Sequence, residues 1–169
     1  MIKVVKNIYY KLLEISIYRL LQFIFGYERW HNYAYQRKPY AADIVRFTNR
    51  MKHLNSALEL GCGTGDIIRR LSMPRRYAGD IDLCCLKSLK FYGKFAKNKK
   101  RIQTFQYECG KIELSEKFDL VIMCNWIHNI EPTKLENEFQ SIMDRHLEID
   151  GFLIFDAIDN SGYKYFHDI

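Results

Sequence analysis

The stretch Leu58-Glu59-Leu60-Gly61-Cys62-Gly63-Thr64-Gly65-Asp66 constrains the fold more than any other part of the chain. Apolar residues and one acid run into three glycines spaced two apart, and Ile67-Ile68-Arg69-Arg70-Leu71 follows with helical character. It reads as a buried strand that ends in a tight glycine loop and opens a helix. Glycine suits such a loop because it reaches positive φ without strain and lets the backbone touch a ligand. The helix start then offers free N–H groups. A plain strand–turn–helix connection needs no ligand. Three glycines after an acid, with another acid further on, point to a nucleotide-type ligand.

Spacing narrows the ligand. The dinucleotide fingerprint is Gly-x-Gly-x-x-Gly. Here Gly61, Gly63 and Gly65 give Gly-x-Gly-x-Gly, and Asp66 stands where the last glycine is needed. An acid at a helix N-terminus repels a pyrophosphate. The stretch resembles the first motif of the class I S-adenosylmethionine-dependent methyltransferases, whose ligand carries a cationic sulfonium and no phosphate. That resemblance implies a Rossmann-like α/β sandwich around a mainly parallel sheet, with cofactor contacts from Glu59, Gly61, Cys62 and Gly63.

Further stretches match in order. Arg76-Tyr77-Ala78-Gly79-Asp80-Ile81-Asp82 reads as a second strand ending in acids. The resemblance gives Asp80 the ribose diol and Ile81 one adenine face, with Asp82 as a fallback acid or as the N-cap of a helix from Leu83 to about Phe95. Arg101–Tyr107 reads as a third strand, and Glu108 stands where the family usually has an aspartate for the adenine amine. Phe118–Cys124 is a near-continuous apolar run, as in a central parallel strand. By the resemblance, Asn125 after it meets the methionine part, Trp126 walls the transfer site, and His128 is a candidate general base, with Asp156 as an alternative. A structural hydrogen bond within the loop is an equally good role for His128. Thr133 to about Leu147 reads as a helix with Thr133 as N-cap and Glu136 three residues on. Asp150-Gly151 then turns into a fifth strand, Phe152–Ile158. The implied strand order is 3-2-1-4-5. The family normally adds two more strands, and the eleven residues after Ile158 are too few for them.

Residues 1–52 read as an N-terminal amphipathic helix and an aromatic cap segment, and 53–169 as the cofactor-binding domain. In the helix, Lys3, Asn7, Lys11, Glu14, Tyr18 and Gln22 mark a polar face. Val5, Ile8, Leu12, Ile15, Leu20 and Phe23 mark the apolar face expected to pack inward or on a second copy. Lys11, Glu14 and Arg19 interrupt it as a membrane span, and no small-residue cleavage site marks a signal peptide. Peripheral membrane contact is the alternative use. The cap segment Gly26–Tyr40 is rich in aromatic and hydrogen-bonding groups. Trp30, His31, Tyr33, Arg37 and Tyr40 are its candidates for contact with ligand or substrate, and Pro39 suits the first turn of a helix running to about Met51.

The 169 residues suit one globular domain. Five cysteines without Cys-x-x-Cys or histidine ligand spacing predict no metal site and reduced thiols in the cytoplasm. Lysines and arginines exceed acids by 26 to 20, a net charge of +6, much of it at Lys94, Lys97, Lys99, Lys100 and Arg101. That run reads as a solvated helix end, or as a contact for a phosphate-bearing substrate, membrane or RNA. The expected activity is methyl transfer to a small polar acceptor, with O-methylation of a sugar or similar metabolite favoured. A non-catalytic cofactor-binding protein and an RNA methyltransferase are the rivals. Asn125-Trp126-Ile127-His128 lacks the Asn/Asp-Pro-Pro-aromatic tetrad often found in base-modifying enzymes, which argues against nucleic acid. The outer edge of the fifth strand is expected to be covered by the tail Tyr163–Ile169, by the N-terminal segment or by a second copy, and a homodimer through the first helix or that edge is one candidate assembly.

Overall fold

The structure is a computed structural model and describes residues 2–32, 35–93 and 101–157. Five parallel strands form one sheet: β1 (Ser56–Leu60), β2 (Arg75–Asp80), β3 (Ile102–Gln106), β4 (Phe118–Met123) and β5 (Leu147–Phe155). Their order is β3-β2-β1-β4-β5, as the sequence implies. The centre is apolar on both faces. Every residue of β1 is buried, and so is all of β4 except Asp119. That carboxylate faces the start of β1, where Asn55 N, Ser56 N and Ser56 Oγ donate to it at 2.8, 2.8 and 2.9 Å. Among the described residues four α-helices accompany the sheet: α1 (Ile2–Phe25), α2 (Pro39–Thr48), α3 (Leu83–Gly93) and α4 (Pro132–Arg145). Two apolar clusters flank the sheet, one around Leu71, Leu89 and Ile122, the other around Leu60, Val121 and Ile142.

The structure departs from the sequence reading in four places. No α-helix follows the glycine loop; only a 3-10 turn forms, Ile68–Arg70. Leu71 is already extended, and Pro74 lies just ahead. The freed carbonyls of Ile68, Arg69 and Leu71 accept from the Arg76 guanidinium at 3.3 Å each, so the short turn leaves no orphans. Second, the N-cap of α4 is Glu131, whose carboxylate accepts from Thr133 N and Lys134 N, both at 3.0 Å. A carboxylate spanning two orphan N–H groups is the stronger cap. Third, Asp150-Gly151 is no turn. It lies inside β5, where the pairing with β4 slips between Phe118–Leu147 and Leu120–Phe152 and extra residues bulge out.

The fourth departure is α1, which sits inside out. Glu14 and Tyr18, expected on the polar face, are buried, while Leu12, Leu20 and Phe23, expected inside, are exposed. The body of the domain presents charges at this position. Tyr18 donates to Asp66, Arg69 Nη2 donates to Tyr18 Oη at 2.5 Å, and Arg70 Nη2 pairs with Glu14 Oε1 at 2.5 Å. Asp66 also pairs with Lys38 at 2.8 Å and Arg69 at 3.1 Å. Buried charges need such partners, and the polar stripe of α1 supplies Tyr18 and Glu14 to them, where its apolar stripe would supply none. Leu21 and Tyr27 pack beside Cys85 of α3. Among the described residues, β5 pairs with β4 alone, so no further strand lies on its outer edge. The expected cover from Tyr163–Ile169, and Lys94–Lys100 of the basic run, lie outside the described residues.

Candidate cofactor site

The carboxyl ends of the strands open into a cavity of about 650 Å³. Its floor is the glycine loop. Gly61, Gly63 and Gly65 adopt φ of 69°, 52° and 76°. A Cβ on Gly61 would fall 2.2 Å from Cδ1 of Trp126, and one on Gly63 would fall 2.9 Å from Nδ1 of His31. Both positions therefore need glycine for conformation and for close approach. Cys62 N donates to Gly79 O at 3.0 Å and ties the loop to β2.

Carboxylates hold the loop from below. Glu59 Oε2 accepts from Ile68 N at 2.8 Å. Burial pushes its carboxyl up to about 8, against the opposing effect of that N–H. Asp80 Oδ2 accepts from Gly63 N at 2.6 Å and Oδ1 from Asp82 N at 2.9 Å. Burial also holds Asp80 above the usual carboxylate range. Asp82 has the separate task of capping α3 through Cys84 N at 2.7 Å and Cys85 N at 3.3 Å. Asp80 lines the cavity and Asp82 does not.

Beyond β3, Tyr107 Oη and Gly110 N donate to the two oxygens of buried Glu138, each at 2.7 Å. This fixes the loop that carries Glu108 and Cys109 to the rim. On the β4 side, Asn125 takes φ 67°, the one positive φ outside glycine among the described residues. Its N–H donates to Asp156 Oδ1 at 2.8 Å. The turn lets Trp126 lie on Gly61, with Nε1 donating to Leu60 O at 2.6 Å. From the cap, Trp30, His31, Lys38 and Tyr40 close the cavity. Trp30 and His31 stack with ring centroids 3.5 Å apart. Burial lowers His31 to about 4, so its imidazole is neutral at pH 7.

All eight residues that the sequence links to the cofactor line this one cavity: Glu59, Gly61, Cys62, Gly63, Asp80, Ile81, Glu108 and Asn125. His128 is not in its lining. It lies half-buried in the 3-10 turn Ile127–Asn129, and neither Asp156 nor Arg37 reaches the cavity wall. Tyr33 lies outside the described residues. Lys38, Tyr107, Cys109, Cys124 and Lys134 line the cavity without having been singled out. They are scattered through the sequence and carry no motif of their own. Among the described residues one group has metal-ligand donors within 4.8 Å of one another: His31, Asp82 and Cys85. Asp82 already accepts the Cys85 thiol at 3.4 Å and caps α3, so the group is closed by its own hydrogen bonds.

The lining suits a cationic, adenosine-bearing ligand. Five carboxyl groups (Glu59, Asp66, Asp80, Glu108 and Glu131) line the cavity against two lysines, Lys38 and Lys134, and exposed Ile81 offers an apolar surface for a base. Asp66 sits where a pyrophosphate would need open N–H groups. Burial alone would raise its carboxyl, but Lys38 and Arg69 bring it below the usual range and keep it charged.

Comparisons with known proteins agree with this geometry. Residues 27–166 match the family described as "Nodulation protein S (NodS)". The chain is 27% identical over 146 residues to a malonyl-[acyl-carrier protein] O-methyltransferase of Bacillus anthracis, covering 82% of this chain and 51% of that protein. It thus spans about half the length of this curated relative. Among solved structures, the glycopeptide N-methyltransferase MtfA in complex with S-adenosyl-L-methionine superposes with a TM-score of 0.58 at 18% identity, over 68% of this chain and 53% of that one. A protein from Pyrococcus horikoshii OT3 superposes with a TM-score of 0.59 at 22% identity, over 71% and 57%. These two likenesses are of fold. With the match to 27–166, they place the chain: it belongs to the nodulation protein S (NodS) family, within the class I S-adenosylmethionine-dependent methyltransferases.

Proposed function

We propose that the chain binds S-adenosylmethionine in the 650 Å³ cavity and directs its methyl group to a small polar acceptor, with oxygen of a sugar or similar metabolite as the favoured site. The observation that carries this reading is the convergence of Glu59, the glycine loop, Asp80, Ile81, Glu108 and Asn125 on one acid-lined cavity. When bound, the cofactor supplies an activated methyl on a cationic sulfonium, so the protein's work is orientation and exclusion of water. Asp80 accepts from the ribose diol with the lone pairs left after its two backbone bonds. Ile81 covers the base, and Glu108 accepts from the adenine amine. The positive φ at the glycines brings the loop backbone against the ligand, and Trp126 screens it from solvent.

An oxygen nucleophile with a proton needs a base. His31 is better placed for this than His128 because it lines the cavity, although the burial that keeps it neutral at pH 7 also weakens it as a base. An ionised carboxylate acceptor, as the name of the Bacillus relative suggests for that protein, needs no base at all.

Calorimetry tests the first step. The chain should bind S-adenosylmethionine, and Asp80→Ala should weaken binding by about 1.5–3 kcal/mol through lost charged hydrogen bonds. No heat with millimolar ligand overturns the reading. Incubation with methyl-labelled cofactor and fractionated cell extract tests the second step. Binding without labelled product would make this a cofactor-holding protein. Label in RNA would move the acceptor to nucleic acid.

A further inference from the structure

We propose that the outward face of α1 docks on an anionic lipid bilayer, with the helix lying in the plane of the headgroups. The inference does not rest on the methyl-transfer reading. Leu12, Leu13, Leu20, Phe23 and Ile24 are all exposed, Phe23 to 88%. At 3.6 residues per turn these five fall within an arc of about 120°. Ser16 lies inside the arc, but its hydroxyl turns back to Leu12 O at 2.9 Å and presents little polarity. A contiguous apolar stripe of this kind marks an interaction surface.

Charge selects the occupant. The ionisable side chains of α1 are Lys3, Lys6, Lys11, Arg19 and one acid, Glu14. Glu14 is buried against Arg70, so it does not offset the cations. On the same 3.6-residue wheel the positions of Lys6 and Arg19 fall at the two edges of the stripe, where a second copy of α1 laid on it would bring its own cations. Anionic headgroups complement both the stripe and the charge. None of the described helices is long and apolar enough to cross a membrane, so α1 lies on the surface. The Tyr18, Glu14, Asp66, Arg69 and Arg70 network fixes which face it shows.

The test is co-sedimentation of the chain with vesicles of phosphatidylcholine alone, or of phosphatidylcholine and phosphatidylglycerol in equal parts. The chain should pellet with the anionic vesicles and be released by salt. Leu20→Glu with Phe23→Glu should lower the bound fraction by about tenfold or more. Arg19→Glu alone should lower it several-fold. All three positions are solvent-exposed, and unchanged thermal melting of the variants would show the fold intact. Three results overturn the proposal: a chain that stays in the supernatant, equal pelleting with neutral vesicles, or variants that pellet like the parent. A concentration-dependent dimer without lipid, dissolved by the double variant, gives the face to a second copy instead.

Discussion

Helices α1 and α4 are both amphipathic, and they dock in opposite ways. In α4, Ile142 is fully buried and Leu135 and Phe139 are half-buried, while Lys134, Gln140 and Asp144 face solvent. Its buried acid, Glu138, is held by Tyr107 and Gly110. In α1 the deepest groups are Tyr18 and Leu21, with Glu14 beside them, and five large apolar residues point outward. The surface beneath α4 is the apolar cluster around Leu60 and Val121. The surface beneath α1 is Asp66, Arg69 and Arg70. Periodicity thus tells that a helix has two faces, and the partner decides which one turns in.

The contrast is open to mutation. Asp66→Ala takes the shared carboxylate from Lys38, Arg69 and the Tyr18 hydroxyl and should cost about 3–5 kcal/mol, read by urea denaturation. Hydrogen exchange should quicken first in α1. Ile142→Ala tests the apolar dock and should cost about 2–5 kcal/mol, with exchange quickening in α4 and little change in α1. If both variants loosen both helices alike, the two docks are one cooperative unit.

Acid should separate the docks without mutation. Asp66 binds its proton more weakly folded than unfolded, because Lys38 and Arg69 outweigh its burial. Its contribution to stability is present above the ordinary carboxyl value of 3.8 and is lost as pH falls through the lower folded value. Exchange in α1 should therefore rise on acidification before that around Ile142. Tyr18→Phe removes one hydroxyl from the network and should cost about 1–3 kcal/mol. Leu20→Ser, on the outward stripe, should stay within about 0.5 kcal/mol of the parent. A larger loss would show that Leu20 is covered in solution.

Much of this was legible beforehand, for identifiable reasons. β4 is a near-continuous apolar run and β1 is apolar except at Ser56 and Glu59, as strands buried on both faces of a parallel sheet are. The strand order came with the glycine loop and the acid at Asp80, which tie the chain to a known winding. The cavity lining followed because its residues stand at the ends of those strands. What escaped depended on contacts remote in sequence. The glycine loop leads into a single turn because Arg76 and Asn49 satisfy what a longer helix would have satisfied. His128 was one candidate base from its place after β4, with a structural role in the loop equally open, and it does not line the cavity. Yet His31, from a cap far upstream, is the one that meets the loop at Gly63. The inversion of α1 depended on charges fifty residues away.

That separation also sets an order of events during synthesis. Tyr18 and Asp66 are 48 residues apart, and Glu14 and Arg70 are 56. At about 5–20 residues per second, α1 waits roughly 2–10 s for its partners to be made. β1 itself is tied to Asp119, more than sixty residues further on. Helix α1 therefore leaves the ribosome well ahead of the groups it docks on, and its leucines and Phe23 meet the cell before the seat for its polar face exists.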